Sequence, residues 1–129
     1  MKNIFIDTNI LIDYSKGYGF KLTPLFKKQE EKLTHLYIST IIIIEYMNDF
    51  NLIDKEKIFL AEKFLQNFTL IDINKKIAYI TASLLRTKQI SYIGDALIAA
   101  TCLENKLELF TNNQKDFKKV KRLKFFLLG

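Results

Sequence analysis

The sequence predicts an α/β fold, an α/β/α sandwich around a central, mainly parallel sheet of four to five strands, and three observations carry that expectation. Short apolar runs such as Ile4-Phe5-Ile6 and Leu36-Tyr37-Ile38 have the length of strands, and an unbroken run suits a strand buried on both faces. Longer stretches between them repeat apolar residues at helical spacing. Strands alternating with helices imply a parallel sheet with right-handed crossovers. Acids also recur just past strands or at helix starts, at Asp7, Asp95 and Asp116. That is the edge where an open parallel sheet places its ligands.

Ile4-Phe5-Ile6 is the first strand and residues 8–14 continue as a helix, with Asp7 at the junction. Lys16-Gly17-Tyr18-Gly19 reads as a turn. Residues 20–32 resume a helical pattern, with Leu22, Leu25 and Phe26 inward and Pro24 in the first turn. Leu36-Tyr37-Ile38 is the second strand, after which Ser39 or Thr40 caps a helix over residues 41–48 that contains Glu45. Asp54 caps a helix reaching Asn67, whose apolar face includes Ile58, Leu60, Ala61, Phe64 and Leu65.

Residues 69–73 form the third strand, and Asn74 caps a helix reaching Lys88. Tyr92-Ile93-Gly94-Asp95 is a loop that enters an apolar helix over residues 96–103. Residues 107–110 are the fourth strand, residues 111–117 a turn with a brief helical turn, and residues 123–128 a fifth strand. The wide apolar faces of the two middle helices exceed what one sheet covers, which suggests a homodimer.

The 129 residues, 49% hydrophobic, suffice for one core and not for two, so residues 1–129 are expected to form a single domain. The longest apolar run, Ile41–Ile44, is far below the roughly 20 residues that span a bilayer, and no signal peptide opens the chain. A soluble, cytoplasmic protein is expected. Cys102 is the one cysteine; it excludes an internal disulfide and a thiolate zinc cage and reads as a small buried hydrophobe. His35 is the one histidine and precedes a strand, which argues against a hydrolytic triad. Walker-type and dinucleotide glycine loops are absent.

Taken singly, Asp7 and Asp95 suit helix caps, and Glu45 suits the rim of its helix, because burying an unpaired carboxylate is costly. Capping does not explain why the acids converge. Neighbouring strands lie about 4.8 Å apart, so carboxylates at adjacent strand ends come within bridging distance of one cation. Mg²⁺ or Mn²⁺ takes such oxygen ligands, keeps several waters and leaves room for phosphate. The formal charge of +6, from 20 Lys+Arg against 14 Asp+Glu, favours an anionic partner. Lys118, Lys119, Lys121, Arg122 and Lys124 follow Asp116 closely and are candidates for holding a nucleic-acid backbone.

Asp7-Thr8-Asn9 after an apolar strand, Glu45 in a helix after Ser39-Thr40, Gly94-Asp95-Ala96-Leu97-Ile98-Ala99-Ala100-Thr101, and Thr111-Asn112-Asn113-Gln114-Lys115-Asp116-Phe117 together resemble a PIN domain. The resemblance spans the whole chain and is nearest to the VapC-like toxins of bacterial toxin-antitoxin pairs. It implies a metal-dependent endoribonuclease with Asp7, Glu45, Asp95 and Asp116 as the acidic centre, and Asp7, Asp95 and Asp116 on the Mg²⁺ or Mn²⁺. Thr8 and Asn113 are implied as supporting polar groups, a cognate antitoxin as partner, and 5′-phosphate and 3′-hydroxyl ends on the products. Thr101-Cys102 stands where the family usually has small residues, and Asn112 where it often has a charge. An idle RNA-binding module and a metal-dependent DNA nuclease or phosphatase share these residues as alternatives.

Overall fold

The computed structural model describes residues 1–49 and 51–128. Four strands form one parallel sheet in the order β3-β2-β1-β4: β1 (Lys2–Ile6), β2 (Thr34–Ser39), β3 (Thr69–Ile71) and β4 (Glu108–Phe110). Six α-helices connect them among the described residues: α1 (Thr8–Ser15), α2 (Thr23–Glu30), α3 (Thr40–Met47), α4 (Lys55–Leu65), α5 (Lys75–Arg86) and α6 (Ile93–Asn105). A 3-10 turn, Gln114–Phe117, follows β4. None of the described helices is long and apolar enough to cross a membrane.

Ile4, Phe5 and Ile6 are all fully buried. Successive strand residues point to opposite faces, so both faces of β1 are covered and the sandwich expectation holds. Each such side chain contributes roughly 1.5–3 kcal/mol through burial, and truncating Phe5 to Ala costs about 3–5 kcal/mol. The chain adds β2 and β3 to one side of β1, then crosses back through α5 and α6 to lay β4 on the other side. The order therefore reverses between β1 and β4, and crevices at the carboxyl ends of parallel strands open at such reversals.

Several boundaries differ from the sequence expectation. Ile93, Gly94 and Asp95, expected in a loop, form the first turn of α6, which runs on past residue 103 to Asn105. Helix α2 begins at Thr23, beside Pro24; proline fixes φ and suits the first helical turn, and residues 20–22 stay outside the helix. Strand β3 stops at Ile71 instead of reaching residue 73. The expected fifth strand contracts to a single bridge, Leu109 with Phe125, made by Leu109 N–H to Lys124 O (2.8 Å) and Phe126 N–H to Leu109 O (2.9 Å). β4 itself has only three residues, so little ladder remains for a neighbour to extend.

Helix α1, which begins just after Asp7, is fastened by aromatic packing. Tyr14 stacks on Phe64 of α4 at 5.2 Å and meets Phe26 of α2 edge-on at 5.7 Å. Offset and edge-to-face pairs of this kind add about 0.5–1.5 kcal/mol each beyond their buried area. His35 lies within β2, stacked on Tyr37 and hydrogen-bonded to Thr69 Oγ1 at 2.6 Å, and so serves the sheet.

Candidate active site

Asp7 sits at the carboxyl end of β1, tied to β4 by its N–H to Phe110 O (3.0 Å), and is 6% exposed. Its Oδ1 accepts the Thr8 N–H at 2.7 Å, capping α1. Its Oδ2 accepts the Thr111 hydroxyl at 2.7 Å and the Asn9 amide at 3.3 Å. These bonds favour the charged form, yet burial outweighs them and, with the Glu45 charge, raises the carboxyl above its ordinary range.

Glu45 lies on α3 and is solvent-exposed, as a rim position requires. Thr8 Oγ1 donates to its Oε1 at 2.6 Å, locking the start of α1 to α3. Its Oε2 lies against α6, where a Cβ added to Gly94 stands only 3.1 Å away. Asp95 follows Gly94 in the first turn of α6, where the N-cap is Tyr92. The Asp95 carboxylate has no hydrogen-bond partner among the described residues, so capping does not account for it.

Asp116 sits exposed on the 3-10 turn after β4. Four elements thus bring four acids to one edge, and Asp95 registers all of them. Burial first, then the charges of Asp7, Asp116 and Glu45, push its carboxyl up to about 6. None of the four is in an ion pair: those among the described residues are Lys2–Glu108 (3.0 Å) and Lys76–Glu104 (3.2 Å). Below the cluster Cys102 is fully buried, its thiol pushed well up by burial and then by the Asp7 charge.

The acids lie within electrostatic reach of Asp95 without closing on one point. Among the described residues, no three Asp, Glu, His or Cys side chains come close enough to hold an ion by themselves. That is looser than strand spacing alone implies; the Thr8 hydroxyl holds Glu45 and the Thr111 hydroxyl holds Asp7.

Asn113 joins the network through its backbone, its N–H donating to Thr111 Oγ1 at 3.1 Å. Thr111 and Asn9 are the polar supports that sequence reading overlooked. Asn9 also accepts the Asn112 N–H at 3.1 Å, and the Asn112 amide donates to Asp13 at 2.8 Å, so α1 holds the turn after β4. The basic stretch divides. Lys119 lines a cavity of about 220 Å³ with Asp95 and Asp116 and, with Lys121 and Arg122, another of about 300 Å³, and Lys118 and Lys124 are exposed.

The family model for the PIN domain matches residues 4–123. No curated protein sequence matches the chain. Among solved structures, a toxin-antitoxin complex from Klebsiella pneumoniae contains a chain 29% identical, at a TM-score of 0.70, over 93% of this chain and 94% of that one. VapBC2 from Rickettsia felis, bound to a DNA fragment from their promoter, aligns at 24% identity and a TM-score of 0.74, over 98% and 99% of the two chains. DNA-bound VapBC from Salmonella typhimurium aligns at 22% and 0.71, over 98% of both; at these last two identities the likeness concerns the fold. A family match along nearly the whole chain, on a parallel sheet that reverses order between β1 and β4, decides membership: the chain belongs to the PIN domain family.

Proposed function

We propose that this chain is a metal-dependent endoribonuclease that hydrolyses RNA phosphodiester bonds at Asp7, Glu45, Asp95 and Asp116, and that it is the toxin of a toxin-antitoxin pair. The observation that carries the reading is four carboxylates gathered at the reversal of strand order with no ion-pair partner among the described residues. Such a cluster opposes folding; a bound cation is the simplest reason to keep it.

The donor set fits a hard divalent ion. Every candidate ligand is a carboxylate oxygen, which suits Mg²⁺ or Mn²⁺. Carboxylates standing apart in a crevice suit an ion that keeps part of its water shell. Asp7, Asp95 and Asp116 would hold it. When bound, it supplies charge neutralisation at the phosphoryl oxygens and a more acidic water.

Thr8 and Thr111 orient Glu45 and Asp7, and Asn113 steadies Thr111. Glu45 or Asp95 orients the attacking water and accepts its proton. Lys118, Lys119, Lys121, Arg122 and Lys124 guide the phosphate backbone.

The relatives named as toxin-antitoxin complexes support a protein inhibitor as partner. A groove of about 400 Å³ lined by Ile43, Met47, Leu65 and Leu70 suits the apolar anchors of a peptide that folds on binding. Phe59 and Leu60 on α4 and Tyr79 on α5 are exposed, which fits self-association to a homodimer; a monomeric mass in sedimentation contradicts it. The workplace on this reading is the cytoplasm.

The test is incubation of the purified chain with a panel of structured and single-stranded RNAs, with Mn²⁺ or excess chelator. Internal cuts bearing 5′-phosphates are expected with metal; a panel left intact defeats the proposal. Purification from the native host without a companion protein defeats the toxin assignment.

A further inference from the structure

The turn between α5 and α6 walls one side of a pocket that reaches Asp95 and Asp116. Gln89 N–H donates to Leu84 O at 3.0 Å and Lys88 N–H to Leu85 O at 3.1 Å, closing α5 and putting Lys88 in the left-handed region at φ +57°. Lys32 and Lys106 adopt the same conformation, so it is a local habit of this chain and not by itself a sign of function. What matters is the company of Lys88. Lys115 and Lys119, from either side of Asp116, line the same cavity of about 220 Å³, together with Asp95, Asp116 and Tyr92.

A lysine bordering an acid ordinarily pairs with it. None of these three does so among the described residues, which leaves three unpaired lysines lining one small space. Lysines left unpaired beside the acids attract a phosphate group, each acting as a point charge. Tyr92, 75% exposed at the entrance to α6, offers a bare aromatic face, and bases of single strands stack on such faces whatever their sequence.

We propose that this pocket holds the RNA nucleotide that flanks the scissile bond, its phosphate among Lys88, Lys115 and Lys119 and its base stacked on Tyr92. The assignment rests on the nuclease reading for its position, since Asp95 and Asp116 share the cavity. It makes Lys88 and Tyr92, both outside the dense basic stretch, the residues that position the substrate.

The test measures binding of a labelled short single-stranded RNA in chelator, where no metal-dependent cutting occurs, to wild type, Lys88→Gln/Lys119→Gln, Tyr92→Leu, and Lys57→Gln on the exposed start of α4 as a control. Thermal melts confirm that each variant folds. The double variant is expected to bind roughly tenfold or more weakly, with a salt slope lower by about 0.7 for each phosphate no longer neutralised. Tyr92→Leu is expected to weaken binding roughly fivefold or more with an unchanged slope. Wild-type affinity in both variants overturns the proposal while leaving Mn²⁺-dependent cleavage, and thus the nuclease reading, intact. The expected losses in a chain that cuts no RNA keep the pocket and defeat the nuclease. A wild type that neither binds nor cuts RNA defeats both.

Discussion

Thr111 Oγ1 donates a 2.7 Å hydrogen bond to Asp7 Oδ2, joining residues 104 positions apart. The same hydroxyl accepts from the Asn113 N–H and the Asn9 amide, so all its hydrogen-bonding capacity is used. Thr111→Val keeps the shape and removes the bond, leaving a buried carboxylate short of a donor at a cost of about 1–3 kcal/mol. Lower melting temperature and at least a tenfold slower cleavage are expected, with Thr111→Ser restoring most of both. A Val variant that cuts at the wild-type rate shows that Asp7 needs no such support.

Gly94, in the first turn of α6, leaves room for the Glu45 carboxylate. Alanine there favours the helix by roughly 0.5–1 kcal/mol, but its Cβ meets Glu45 Oε2 at 3.1 Å and displaces it. Gly94→Ala should melt at or above the wild-type temperature while cleaving more slowly. Unchanged cleavage means that the Glu45 position is not critical.

Asp95 has a folded-state pKa of about 6 against an ordinary 3.8, and Asp7 is raised as well. An acid raised on folding binds its proton more tightly in the folded state. Its contribution to stability is full below the unfolded pKa and is lost as pH rises through the folded one. In chelator the melting temperature should therefore fall from about pH 4 to about pH 7 on account of these groups. Asp95→Asn should flatten that fall and melt several degrees higher at pH 7.5, at roughly 4 °C per kcal/mol in a chain of this size, with solvent screening trimming the gain. Coincident melting curves across that range contradict the shared site.

Ser39 ends β2 at the N-cap position of α3 without a side-chain capping bond, and its buried hydroxyl has no partner among the described residues. Removing a buried polar group that lacks a partner costs little or stabilises. Ser39→Ala is expected to melt within a degree or two of wild type, or above it. A loss of several degrees reveals a hydrogen bond made in solution.

The acids were legible because strand-to-helix junctions are local features: Ile4-Phe5-Ile6 before Asp7, and the helical run after Asp95, are visible within a dozen residues. Thr111 was not. Its importance follows from β4 lying beside β1, a pairing set by the return crossover through α5 and α6 that no local pattern specifies. Lys88 and Lys115 escaped notice for the same reason, while the dense run after Asp116 drew attention by composition and sends only Lys119 to the cavity with the acids. The largely apolar residues 123–128 looked like a strand, yet three-residue β4 offers them only one bridge.

The most direct measurement is the cleavage rate of a labelled RNA by wild type, Asp7→Asn and Asp95→Asn, with Mn²⁺ and with excess chelator. If the four acids hold a catalytic ion, each substitution should slow cleavage roughly a hundredfold or more, since each factor of ten corresponds to about 1.4 kcal/mol of transition-state stabilisation, and chelator should abolish cleavage by wild type. Full activity in either variant, or in chelator, contradicts the account.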